Sequence, residues 1–196
     1  MGSEMCIRDS DNTVAWYENG LSAFGDPTFG SANIATSFDA AAEVRAVDID
    51  NDGDLDVLAA AYADDEIAWF ENNGASDPSF TARTITTSAD GAWSVYAADM
   101  DSDGDIDVLS ASVLDNKIAW YESDGAADPS FTANTITTSA NSARSVYAVD
   151  IDSDGDMDVL SASGGDDKIA WYENNGASDP SFTAHTITTS AVGAFS

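Results

Sequence analysis

Three short acidic segments are the residues of this sequence best suited to chemistry. Each has nine residues that fit the pattern D-x-D-x-D-G-x-x-D, and five of the nine are aspartates. These segments, here called the Asp loops, are residues 48–56, 99–107 and 150–158. Five carboxylates so close together repel one another unless a cation lies among them. The pattern therefore predicts a metal-binding loop.

The types of ligand indicate which metal the Asp loops bind. Positions 1, 3, 5 and 9 offer side-chain oxygens, position 7 offers its backbone carbonyl, and glycine at position 6 permits a tight reversal around an ion. This many hard oxygen ligands favour Ca²⁺ over Zn²⁺ or Cu²⁺, and Mg²⁺ prefers stricter octahedral geometry. An EF-hand needs glutamate at position 12, where Ala59, Ser110 and Ser161 stand. The alternative is a solvated acidic turn without metal.

The Asp loops belong to a repeat of 51 residues. The Asp-Pro pairs that begin at Asp26, Asp77, Asp128 and Asp179 are spaced by three steps of 51, and residues 77–127 and 128–178 share 38 identities in 51 positions. Within one unit, β-branched and aromatic runs bounded by Gly, Asn, Asp and Pro predict four strands, at 95–100, 107–112, 117–122 and 131–139. A unit of this size with four strands is typical of a β-propeller blade. A β-solenoid, whose rungs are usually shorter, is the alternative.

The Asp loop, the DVL that follows it and the later IAWYE or IAWFE resemble the FG-GAP/VCBS repeats of the integrin α-subunit propeller and of many secreted bacterial proteins. The resemblance covers residues 11–196, although the Phe-Gly and Gly-Ala-Pro signature of the family name is not evident. It implies an all-β fold, a seven-bladed propeller with one Ca²⁺ in each loop-bearing blade, so three ions here. The side-chain ligands it implies are Asp48, Asp50, Asp52, Asp56, Asp99, Asp101, Asp103, Asp107, Asp150, Asp152, Asp154 and Asp158. Asp54, Asp105 and Asp156 take the carbonyl position.

The repeat also predicts the organisation of the chain. We expect a partial blade at 11–38, repeats at about 39–89, 90–140 and 141–191, and a stub at 192–196, or about 3.5 blades of a longer ring. Residues 1–10 resemble the translation of a sequencing-library adaptor and are interpreted as a non-native segment. Cys6, the only cysteine, lies within it. Disulfides and thiolate metal sites are therefore not expected.

Charge excludes several classes of partner. The formal net charge is −30, with 36 acidic residues against six Lys and Arg. Nucleic acid and anionic lipid both require a basic surface, so neither is an expected partner. Fifteen of the acidic residues lie in the Asp loops, and no apolar run is long enough for a membrane-spanning helix.

Other recurring side chains are better explained by structure than by chemistry. Aromatic residues that recur in every repeat are predicted to pack between blades rather than to bind sugars, and they include Trp16, Trp69, Trp120 and Trp171. Glutamates that follow them, Glu18, Glu71, Glu122 and Glu173, are predicted to be structural or solvated. His185 is predicted to lie on the surface. Trp93, which Arg144 replaces one repeat later, is the better candidate for an exposed contact.

The sequence as a whole predicts a noncatalytic, extracellular or cell-surface, bacterial calcium-binding module for adhesion or protein interaction. Its partner would be an extracellular protein or glycan. A lectin-like carbohydrate-binding propeller is one alternative. Another is the accessory propeller of a secreted enzyme whose catalytic domain lies outside this chain.

Overall fold

The fold consists of β-strands joined by short turns. A computed structural model of the chain describes residues 4–8, 12–21 and 27–194, and the side chains of residues 12–17 and 32–194. The described strands are β1 (Glu4–Arg8), β2 (Thr13–Leu21), β3 (Pro27–Ala35), β4 (Ala41–Val47), β5 (Asp56–Ala61), β6 (Glu66–Asn72), β7 (Phe80–Thr86), β8 (Ala92–Ala98), β9 (Asp107–Ser112), β10 (Lys117–Ser123), β11 (Phe131–Thr137), β12 (Ala143–Val149), β13 (Asp158–Ser163), β14 (Lys168–Asn174) and β15 (Phe182–Thr188). Within these residues there is no helix, and so none that could cross a membrane.

The strands form four separate antiparallel sheets. Three of them have four strands each, in the orders β4-β5-β6-β7, β8-β9-β10-β11 and β12-β13-β14-β15. The first sheet has the three strands β1-β2-β3. Because each strand pairs with the next one along the chain, every sheet is a meander of the kind that forms a propeller blade. The chain is therefore an incomplete β-propeller, which confirms the predicted fold class, and the antiparallel meanders argue against a solenoid.

In the second and third sheets both faces of the middle strands are buried, which explains why simple alternation is weak in the sequence. In β9, Leu109 packs in one apolar cluster with residues of the following sheet, whereas Val108 packs in another with residues of the preceding sheet. In β10, Trp120 packs in the same cluster as Leu109, and Tyr121 packs in the same cluster as Val108. A strand that contacts a neighbour on each face needs apolar side chains at consecutive positions. The hydrophobic core is thus a series of layers between sheets.

The first strand of the repeat at residues 90–140 differs from its predicted bounds. In the repeat containing residues 90–140 it runs from Ala92 to Ala98, not over 95–100. A bulge between Ala92 and Ser94 interrupts the regular register, so the start of the strand lacks a clear period. Asp99 and Met100 are outside the strand because the loop that folds back towards Asp107 begins there.

Strand β1 lies within the segment predicted to be non-native. It pairs antiparallel with β2, for example Ile7 with Val14. The equivalent of β2 in the second sheet is β6, which pairs with β5 on one side and β7 on the other. Strand β1 therefore occupies the place that the second strand takes in the other sheets. Cys6 lies in β1 opposite Ala15.

Side chains connect the first strands of neighbouring sheets. Glu43 of β4 accepts a hydrogen bond at Oε2 from the backbone N–H of Val95 in β8, at 2.9 Å. Ser94 of β8 accepts one at Oγ from the N–H of Val146 in β12, at 3.3 Å. Because β4, β8 and β12 belong to different sheets, these bonds link neighbouring blades.

Candidate metal centres

Each Asp loop joins the first strand of a four-stranded sheet to the second. The first, second and third Asp loops follow β4, β8 and β12 and lead into β5, β9 and β13. In every loop the carboxylates of positions 1, 3 and 9 converge, with one oxygen from each within 4.8 Å of the other two. The three triads are Asp48, Asp50 and Asp56; Asp99, Asp101 and Asp107; and Asp150, Asp152 and Asp158.

Position 9 anchors each loop to its sheet. The carboxylate of Asp107 is buried and accepts two backbone hydrogen bonds, from Met100 at 2.9 Å and from Ser123 at 2.8 Å. Met100 lies at position 2 of the loop, and Ser123 ends the third strand of the sheet. The equivalent contacts recur at Asp56 and Asp158. One carboxylate therefore fixes both the start of the loop and the end of a third strand.

Positions 1, 3 and 5 are held by the backbone of the loop itself. In the second loop, Asp99 accepts a hydrogen bond from Gly104 N–H at 3.0 Å, Asp101 from Asp103 at 3.2 Å, and Asp103 from Asp105 at 2.9 Å. Each bond uses one carboxylate oxygen, which leaves others for a cation. The carboxylates are thus oriented before any metal binds.

The electrostatics of the triads favour a bound cation. Burial raises the pKa of Asp56 and of Asp107 to about 6, and neighbouring acids such as Asp50 and Asp101 raise them further. Burial, aided by nearby aspartates, also raises the pKa of Asp50, Asp101 and Asp152. A divalent cation within a triad would oppose these shifts because it favours the charged form.

Positions 5 and 7 lie outside the triads. At position 7 the carboxylate of Asp105 lies against Gly125 in the turn after β10, so closely that a β-carbon there would overlap it. Asp54 and Asp156 meet Gly74 and Gly176 in the same way. The side chain of position 7 therefore faces a neighbouring turn, an arrangement compatible with a ligand role for its carbonyl alone. The sequence reasoning missed these three glycines, although their spacing of 51 residues marks them.

The reversal expected at position 6 is present in all three loops. Gly53, Gly104 and Gly155 have φ angles of +97°, +97° and +101°. Position 4 also adopts the left-handed conformation, at Asn51, Ser102 and Ser153. This second reversal was not predicted, although Asn tolerates that conformation better than most residues.

The residues present fit a calcium ion. The converging atoms are carboxylate oxygens, which suit hard cations. In the second loop, Asp99 Oδ1 is buried and accepts no hydrogen bond from the described residues. A buried charged oxygen without a partner is costly, and an ion at the centre of the triad would satisfy it. Asp99, Asp101 and Asp107 would hold that ion, which would offset two of the five negative charges of the loop and connect the two strands on either side of it.

The other predicted residues take the structural roles expected of them or close to them. Trp69 and Trp120 are each only 1% exposed and pack between sheets, whereas Trp16 and Trp171 are half-buried. Glu71 forms an ion pair with Arg83 at 2.7 Å. His185 is half-buried rather than freely solvated, since it contacts Glu173 at 2.7 Å and stacks on Trp171 at 4.6 Å between ring centroids. Glu18 lies outside the residues whose side chains are described.

The fold and the Asp loops together define a class of protein. It is a propeller of repeated blades with an acidic loop between the first two strands of each complete blade. The FG-GAP-like repeat matches residues 48–110 and 99–161, which together span more than half of the chain. The chain therefore belongs to the FG-GAP-like repeat family. No curated protein matches the chain in sequence.

Proposed function

We propose that the chain is a noncatalytic, extracellular calcium-binding repeat module that serves adhesion or protein interaction. The observation that carries this proposal is the threefold recurrence of the Asp triad at one place in the blade. Membership of the FG-GAP-like repeat family supports an interaction role. The strongly acidic composition of the chain also suits such a role, because a highly charged protein remains soluble.

Calcium has a structural role in this proposal. Each ion would hold the acidic loop together and keep the ends of two strands in place, so binding to the folded state adds to stability. At free calcium of about ten times the dissociation constant, one site contributes about 1.4 kcal/mol. Millimolar calcium outside cells is enough to fill sites of the weaker affinities known for extracellular modules.

Thermal unfolding with and without calcium tests the proposal. We expect the melting temperature to fall by at least about 5 °C when a chelator replaces 1 mM Ca²⁺, because a gain of about 1 kcal/mol shifts a domain of this size by about 2–4 °C. Calorimetric titration should give three ions per chain. Equal melting temperatures in the two buffers, with no calcium uptake, would contradict the proposal. Magnesium at the same concentration is the control and should stabilise less.

One observation favours a carbohydrate-binding module as a second candidate. Trp93 is 38% exposed, whereas the recurring Trp69 and Trp120 are buried. An exposed tryptophan offers a flat apolar surface that a ligand can cover.

A further inference from the structure

Differences between otherwise near-identical repeats fall at both ends of the sheets, six of them at each end. Residues 90–140 and 141–191 differ at 13 positions. Six of these lie just before the first strand, at its start, or in the turn between the second and third strands, namely 90/141, 91/142, 93/144, 113/164, 114/165 and 116/167. Ala92 pairs with Ser112, so these segments share one end of the sheet, here called the turn end. The Asp loops occupy the opposite end.

Packing accounts for only part of this variation at the turn end, since Gly91 lies against Leu114 and Gly164 lies against Arg144. Trp93 is 38% exposed and Leu114 is 54% exposed, so neither residue is fixed by a buried contact. In contrast, Met100 is buried between sheets. Ile151 takes its place in the next repeat, so at this position one apolar side chain substitutes for another. The exposed differences give the turn end its own chemistry in each repeat, as expected of a surface that contacts a ligand.

A cleft of about 160 Å³ lies at the turn end and is lined by Ala42, Glu43, Trp93 and Arg144. These residues come from three neighbouring first strands, β4, β8 and β12. Ala42 holds the slot that Trp93 and Arg144 hold in the next two repeats. The small side chain at that slot leaves room beside Trp93.

The aromatic wall of the cleft is held in place by its neighbours. The guanidinium carbon of Arg144 lies 5.6 Å from the centre of the Trp93 ring, and the ring of Tyr62 meets Trp93 edge-on with a centroid separation of 5.7 Å. Contacts of both kinds are favourable. The indole therefore has a defined orientation although it is partly exposed.

The polar wall is equally well fixed. Glu43 Oε1 accepts a hydrogen bond from Arg45 Nη2 at 2.6 Å, and its Oε2 accepts one from Val95 N–H at 2.9 Å. A carboxylate can accept about four hydrogen bonds, so Glu43 can still accept from a ligand hydroxyl. Arg144 is a donor only. An acceptor, a donor and an aromatic plane thus surround one small cleft.

We propose that this cleft binds a neutral sugar ring. Vicinal hydroxyl groups both donate and accept, so one ring can meet Glu43 and Arg144 together, while its C–H face covers the apolar plane of Trp93. A net charge of −30 disfavours anionic ligands, and the cleft is too small for a peptide segment of several residues. This inference deepens the proposed function by giving its ligand class.

Glycan binding by the full chain in 1 mM Ca²⁺ tests the inference. The protein is applied to an array of immobilised neutral and acidic glycans, and affinity is then measured by calorimetry with the methyl glycoside of the strongest neutral ligand. Trp93→Ala should weaken binding at least tenfold because it removes the stacking plane. Ala42→Trp should do the same by filling the cleft while leaving Trp93 in place. The control is Leu114→Ala, an exposed turn-end residue outside the cleft, which should bind like the unchanged protein.

The outcomes separate this inference from the proposed function. No binding to any neutral glycan by a protein that calcium stabilises would overturn the sugar site alone. Equal affinities for the unchanged chain and for Ala42→Trp, or a preference for acidic glycans, would also overturn it. Saturation-transfer spectra of the unchanged protein give a second measurement that needs no variant, and they should show transfer to ring protons of the glycoside.

Discussion

At the scale of single residues, positions 7 and 9 of the Asp loop are both aspartate, but the two side chains have different structural roles. Asp107 at position 9 belongs to the triad and accepts two backbone hydrogen bonds. Asp105 at position 7 directs its carboxylate away from the triad, towards Gly125. Their substitution by the same residue should therefore have different consequences.

Asp107→Asn should remove one calcium site and also destabilise the calcium-free protein. The amide offers only one acceptor oxygen, so one buried N–H loses its partner at a cost of about 1–3 kcal/mol. Calorimetric titration should give two ions in place of three, and urea unfolding in chelator should show the second effect. Asp105→Asn is the matched control and should still bind three ions. Loss of a site in that variant would show that the position 7 carboxylate is itself a ligand.

Gly125 offers a second prediction at this scale. Its φ is +64° and a β-carbon would overlap Asp105, so Gly125→Ala combines backbone strain of about 1–2 kcal/mol with a steric clash. Gly104→Ala, at φ +97° with open space around it, should show the strain alone. Adding Asp105→Ala to Gly125→Ala should restore part of the stability, which urea unfolding measures as non-additivity. Strict additivity would mean that the two residues do not meet.

At the scale of elements, the sequence predicts the strands well and their connections less well. The second, third and fourth strands of the repeat at residues 90–140 were predicted within two residues, because Gly, Pro and Asp bound them. The first strand was misplaced because its bulge at Ala92 and Ser94 hides the period. Spacing predicted side-chain ligands at positions 1, 3, 5 and 9, and the triads contain positions 1, 3 and 9 of these.

What spacing could not predict is the partner of each triad member outside its loop. The bond from the backbone N–H of Ser123 to Asp107 joins residues 16 apart in sequence, which the pairing of β9 with β10 brings together. The cleft beside Trp93 depends on three strands from three repeats. Such contacts arise from tertiary packing, which local pattern does not encode.

The bonds between first strands give a prediction at this scale. Ser94 is buried and its hydroxyl accepts from Val146 N–H in the next sheet. Ser94→Ala should lower the free energy of unfolding by about 1 kcal/mol, since a buried N–H loses its partner. Ser145→Ala, the same slot one repeat later, makes no such contact within the described residues and serves as the control. Urea unfolding of both variants in calcium checks this, and equal effects would argue against a link between blades.

At the scale of the whole molecule, burial of equivalent residues changes along the chain. Leu58, Ile67 and Trp69 of the second sheet are at most 1% exposed because the third sheet covers them. Their equivalents in the fourth sheet, Leu160, Ile169 and Trp171, are only half-buried. Small residues of the neighbour, such as Ala140 and Ala143, complete each layer in the covered sheets. One face of the fourth sheet thus presents the apolar residues that elsewhere pack against another blade.

This face should make the 196-residue chain self-associate at micromolar concentration, because it matches the kind of surface that blades bury against one another. On this face Ile187 is 57% exposed, whereas Ile136, the equivalent residue of the third sheet, packs against a buried apolar cluster. Ile187→Lys should therefore shift the mass measured by light scattering towards the monomer without loss of stability. Leu114→Lys replaces a similarly exposed aliphatic residue at the turn end and should leave association unchanged. A monomeric unchanged chain would contradict the prediction, and equal effects of the two variants would place the contact elsewhere.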